Sequence, residues 1–248
     1  MRPVKTVGAT ALVALLGIVA ASPAAAQDRR DTSVPIPTQE KEPTKVASAP
    51  VYKPPLRGAP GGRVGGGTRG TNTRDVFVLS ALAPDHMGLT ASEQPSLYWF
   101  ISNATSLPVE VAIMDPQGVK PLFESRLTGP VERGVHRINL AQHGVRLEPG
   151  VPYRWSVTVI PDEKRRSRDI LAAATVERIM PPDALRAKVT ETRKEDLPSV
   201  YAEAGLWYEA LAMISDLIDQ APSDAALRQQ RAALLSQVGL PDIGEATR

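Results

Sequence analysis

Tyr153-Arg154-Trp155-Ser156-Val157-Thr158-Val159 is the stretch that decides the fold. Side chains of a strand alternate between its two faces, so Tyr153, Trp155, Val157 and Val159 share one side. Arg154, Ser156 and Thr158 fall on the other. A period of two sustained this long predicts a half-buried β-strand. Leu147-Glu148-Pro149-Gly150 turns the chain into it. Upstream lie Val76 to Leu79, Leu97 to Ile101, Val109 to Ile113, Val119 to Arg126 after the turn Asp115-Pro116-Gln117-Gly118, and Gly134 to Leu140. Downstream lies Ile170 to Ile179. About seven short strands with regular turn signals predict a mainly β fold, an immunoglobulin-like antiparallel β-sandwich over 75–180.

Past Pro181-Pro182 the period changes to 3.6. Trp207, Ala210, Leu211, Ile214, Leu217 and Ile218 form one apolar stripe of a helix. Ser223 is the expected N-cap of the next, which runs through Leu227, Leu234, Leu235 and Val238 to Gly239. A shorter helix carries Leu197, Val200, Tyr201 and Ala204 and stops at Gly205. Residues 181–248 are therefore expected to be an α-helical hairpin region.

At the other end, Arg2 and Lys5 precede an uncharged apolar run, Ala9 to Ala21, and Ala24-Ala25-Ala26 follows. This is the pattern of a secretory signal cleaved between Ala26 and Gln27. The run is too short to span a bilayer, so the expected mature protein is periplasmic or secreted, with no membrane span. Residues 27–74 are rich in Pro and Gly and carry nine basic against four acidic side chains. Such a segment cannot bury enough apolar surface to offset its ordering entropy, and it reads as a disordered basic linker. Lys and Arg total 29 and Asp and Glu 27, so loss of Arg2 and Lys5 with the leader brings the charge to formal zero. Nucleic acid is not an expected partner.

The residues point to no catalytic chemistry. No cysteine is present, which excludes thiol catalysis, thiolate metal sites and a disulfide framework. G-x-S-x-G, S-x-x-K and H-E-x-x-H are absent. His86, His136 and His143 fit no compact metal motif. The Gly65–Gly70 loop lacks the Lys-Ser/Thr pair of a phosphate cradle. What remains is interaction chemistry. Trp207 and Tyr208 are candidate anchors, Arg165, Arg166 and Arg168 stand in a charged loop, and Arg63 and Arg69 recur with Arg57 and Arg74 along the linker. Tyr98, Trp99, Tyr153 and Trp155 are the large aromatics of the sandwich, expected mainly as core, although alternation turns one of Tyr98 and Trp99 outward.

Two resemblances accompany these readings. Leu197, Tyr201, Gly205, Trp207, Ala210, Ile214 and Pro222 fall at the spacing of one tetratricopeptide repeat over about 194–227, with a departure at Pro198. One repeat makes no extended groove, so peptide binding is not implied. More broadly, Gly65-Gly66-Gly67-Thr68-Arg69-Gly70, Ala81-Leu82-Ala83-Pro84, Tyr98-Trp99-Phe100, Leu147-Glu148-Pro149-Gly150, Tyr153-Arg154-Trp155 and Tyr201-Ala202-Glu203-Ala204-Gly205-Leu206-Trp207-Tyr208 form an ordered set. With them the chain, from about Pro54 to Ile243, resembles the exported bacterial and cyanobacterial family catalogued as domain of unknown function nine hundred and twenty-eight. It lacks the cysteines of some members. The resemblance implies a secreted β-plus-helix protein and no activity.

The resulting expectation is a non-enzymatic periplasmic interaction or adaptor protein with an envelope protein partner, no cofactor and no metal. Its surface would be a sandwich edge strand or the helical face at Trp207 and Tyr208. A binder of envelope glycan or a small polar ligand is the alternative, and a hydrolase of envelope polymers comes third. The oligomeric state stays open.

Overall fold

The computed structural model describes residues 48–55, 63–69 and 76–247, apart from residues 116, 119 and 128. The expected leader, with Ala26 and Gln27, and much of the expected linker lie outside the described residues. Tyr153, Trp155, Val157 and Val159 are buried along one face of strand β8 (Pro152–Val159), as the alternation predicts. β8 is central in its sheet and runs antiparallel to β5 (Val109–Met114) and β9 (Ile170–Arg178). Trp155 stands between Ile113 and Ala174, where the small neighbour makes room for the indole. The sheet is completed by β3 (Gly88–Thr90), parallel to β9, and by β6 (Pro121–Leu127), antiparallel to β5. Its order is β3-β9-β8-β5-β6.

A second, four-stranded sheet has the order β1-β2-β4-β7, with β1 (Gly66–Arg69), β2 (Val76–Ala81), β4 (Ser96–Ile101) and β7 (Gly134–Asn139), all antiparallel. Neither sheet closes on itself. Both contribute to one core, which the helices share. The expectation that either Tyr98 or Trp99 would point to solvent is corrected here. Both are buried because helix α3 lies near β4 and covers its outer face, while Trp99 turns inward.

The helices are α1 (Asp183–Glu191), α2 (Leu197–Glu203), α3 (Trp207–Gln220), α4 (Ala225–Ser236) and α5 (Pro241–Ala246). Helix takes 32% and strand 31%, so the fold is β plus α in equal measure and not mainly β. The amphipathic stripe of α3 is buried as its spacing requires. Pro198 sits in the first turn of α2, where a missing N–H breaks no helical bond. α4 is capped by Asp224, whose Oδ1 accepts from the Ala226 and Leu227 N–H groups, one residue beyond the expected Ser223.

Residues 48–55 depart from the disordered-linker expectation. Gln237 clasps them, its Oε1 accepting from the Tyr52 N–H (2.8 Å) and its Nε2 donating to Pro50 O (2.9 Å). The Lys53 N–H donates to Ala202 O, and the Tyr52 ring is buried edge-on against Trp207. Gly205 permits the close approach. Its φ is +76°, and a Cβ there would stand 2.9 Å from Lys53 O. Val64 then bridges to Ala173 of β9 before the chain enters β1 in the other sheet. One aromatic and a few backbone bonds hold a segment whose composition alone predicts none.

Candidate functional site

The residues singled out in the sequence do not assemble into one site. Trp207 and Tyr208 are 0% and 1% exposed and therefore are not partner anchors. Trp207 donates its indole N–H to Leu82 O at 2.9 Å. Tyr208 accepts from the Trp155 indole at 3.0 Å and donates to Thr175 O at 3.1 Å. Burial pushes its phenol well above the ordinary value. These two side chains dock the start of α3 against both sheets, which is why a helix with so apolar a face forms here.

Arg63 is also an internal tie, since its guanidinium donates to Ala83 O (2.9 Å) and Val238 O (2.8 Å). Burial lowers its pKa. Arg69 lies at the end of β1. In the β8–β9 loop, Arg166 pairs with Glu110 and Asp169, Arg165 lies 3.9 Å from Asp162, and Arg168 is exposed. The histidines are apart. His86 Nε2 lies 3.0 Å from the Tyr52 hydroxyl, His136 stacks on Trp99, and His143 rests against Phe123. Among the described residues no three His, Cys, Asp or Glu side chains converge as a metal site.

Two polar clusters escaped sequence reading, the first buried and the second partly exposed. Glu209 Oε1 accepts from Thr90 Oγ1 (2.6 Å) and from the Ala91 and Ser92 N–H groups (2.8 and 3.0 Å), locking α3 to the end of β3. Its Oε2 is buried without a partner. Desolvation raises the carboxyl pKa above the usual range, although these bonds oppose the rise. In the second cluster Arg137 lies over the Tyr98 ring (5.3 Å) and bonds Asp216 (2.5 Å) and Asp219 (3.1 Å), joining β7 to α3. Burial pushes the Tyr98 phenol up to about 12, with Arg137 working against it. Both clusters tie helix to sheet.

Among the described residues, β6 is the longest strand at the end of a sheet. It ends its sheet, so one side pairs with β5 and the other carries unpaired N–H and C=O groups. Five of its seven residues are exposed, with Leu122 at 47% and Leu127 at 36%. The other end strands, β1, β3 and β7, are shorter. Pairing with β5 places Phe123, Ser125 and Leu127 on the face of Ile113, Val111 and Val109, and Glu124 and Arg126 on the opposite face. The core-side residues of β6 are thus only partly covered. An open cleft of about 380 Å³ adjoins its C-terminal end, lined by Leu107, Pro108, Leu127 and Pro130 with Arg126 and Glu163 at 2.5 Å from one another. The register shift at Ile113/Met114 skips Leu122 and, with Pro121, closes the other end, which confines regular pairing to 123–127.

The family described as Domain of Unknown Function (DUF928) matches residues 64–248, starting at Val64, which bridges to Ala173 of β9. No curated protein matches the chain. The matched span covers both sheets and all five helices, and the chain belongs to the DUF928 family.

Proposed function

We propose that this is a non-enzymatic interaction protein of the cell envelope, exported by its leader, that takes on a partner by strand addition at β6. In this reading the two open sheets are an immunoglobulin-like sandwich, and α2 with α3 is a single repeat-like hairpin used for packing. The observation that carries the proposal is the exposed seven-residue end strand with unpaired backbone groups and two exposed leucines. Backbone bonds along such an edge supply affinity, and alternate side chains supply selectivity. The arginine-bearing loop beside it, 162–169, extends the polar rim through Glu163 and Arg126. A glycan-binding reading has less to rest on, because Tyr98, Trp99, Tyr153 and Trp155 are all buried.

The test is a photoreactive side chain in place of Leu127, illuminated in intact envelopes. A discrete protein adduct, lost when proline at an outward-facing β6 position removes an edge N–H, is the expected result. No adduct at 127, with capture from an exposed helical position such as Gln220 instead, would move the partner surface to the helices.

A further inference from the structure

We infer that the strand added to β6 is β6 of a second copy of this chain, related to the first by a two-fold axis at Ser125. This rests on the reading of β6 as a docking edge and names its occupant. In an antiparallel pair, directly opposite residues point to the same side of the sheet. A register centred on a residue therefore keeps the core faces of the two copies on one side, whereas one centred between residues turns one copy over. Three residue-centred registers lie within the free part of the strand. Centring on Glu124 sets glutamate against glutamate, and centring on Arg126 sets arginine against arginine. Centring on Ser125 sets Glu124 against the partner's Arg126, and Arg126 against the partner's Glu124.

The same register sets Phe123 against the partner's Leu127 on the core side, and Leu127 against the partner's Phe123. Serine meets serine at the axis. The sequence Phe123-Glu124-Ser125-Arg126-Leu127 is thus complementary to its own reverse in both charge and apolarity. All of it is solvent-reached or half-buried. An isologous contact of this kind closes after two copies and joins two five-stranded sheets into one of ten strands. Arg126 bonds Glu163 in the single copy, an exposed pair of little intrinsic strength that does not compete strongly with the partner's Glu124. About five paired residues per copy make a small interface, so the dimer dissociates in the micromolar range or weaker, on the order of that seen for transient contacts.

Sedimentation of the purified protein across a concentration series tests this. The wild type should pass from monomer to dimer. Glu124→Arg and Arg126→Glu should each weaken the dimer at least about tenfold, since each puts two like-charged pairs across the axis. An equimolar mixture of the two variants should recover wild-type affinity, because every cross-pair is again opposite in charge. Melting curves of both variants should match the wild type, since both positions are exposed. A wild-type dimer that both variants retain, with no gain on mixing, overturns the inference. A wild-type monomer up to about 1 mM that still gives an adduct with another protein from position 127 overturns self-pairing and leaves the docking edge standing. A monomer with no adduct removes both.

Discussion

The start of α3 and the strand β6 use their apolar residues in opposite ways. At the start of α3, Trp207 and Tyr208 are fully enclosed, and each polar tip is partnered, Trp207 by Leu82 just past β2 and Tyr208 by Trp155 and Thr175. On β6, Leu122 and Leu127 remain exposed, Leu127 on the core side, while the strand's outer backbone groups have no neighbour in the sheet. The more aromatic region is the less available one. Large side chains contribute most to binding when a partner buries them, and here the chain has already buried them itself.

Breaking the enclosed region should have the largest effect. Trp207→Ala removes the indole from the centre of the helix–sheet seam and should cost about 3–5 kcal/mol in urea unfolding. A loss under about 1 kcal/mol would mean that α3 does not depend on this seam. Tyr208→Phe keeps the ring and deletes the hydroxyl, leaving the Trp155 N–H and Thr175 carbonyl unpaired in the interior. The expected cost is about 1–3 kcal/mol, and a neutral result would contradict the hydrogen bonding described.

Much of this seam was legible beforehand. The stripe Trp207, Ala210, Leu211, Ile214, Leu217, Ile218 announces a helix with a buried face, and the alternation of β8 announces its inward residues. Local periodicity does not say what covers a face. Tyr98 and Trp99 looked divided between core and solvent until α3 supplied the second cover, and Tyr52 looked like part of a linker until Gln237 and Trp207 received it. The position of β6 was hidden for the same reason. Val119 to Arg126 reads as one more strand, but its place at the end of a sheet follows from strand order, a non-local property. Glu209 gave no signal either, since a glutamate in a first helical turn is commonplace and its burial depends on the distant loop 90–92.

Smaller effects sharpen the contrast. Because the folded-state pKa of Glu209 is raised above its ordinary 4.5, its contribution is fully present below that value and is lost as pH rises through the folded pKa. Wild-type stability relative to Glu209→Gln should therefore fall as the pH is taken upward from about 4.5, as read from urea midpoints. A difference independent of pH would contradict a carboxyl desolvated in this way. Leu127→Ser should have the smallest effect on folding, within about 0.5 kcal/mol, while weakening capture through a photoreactive side chain placed at Leu122. A large loss of stability would place Leu127 in the core.

The most direct measurement is residue-resolved hydrogen exchange on the dilute protein and again with its partner present, whether concentrated protein or envelope extract. Amides of α3 from Ala210 to Ile218 should exchange only on global unfolding in both states. Alternate amides of 123–127 should exchange freely when dilute and slow when the partner is added. Protection of every β6 amide in the dilute protein to the level of α3 would show the edge already covered and would contradict the assignment of β6 as the partner surface.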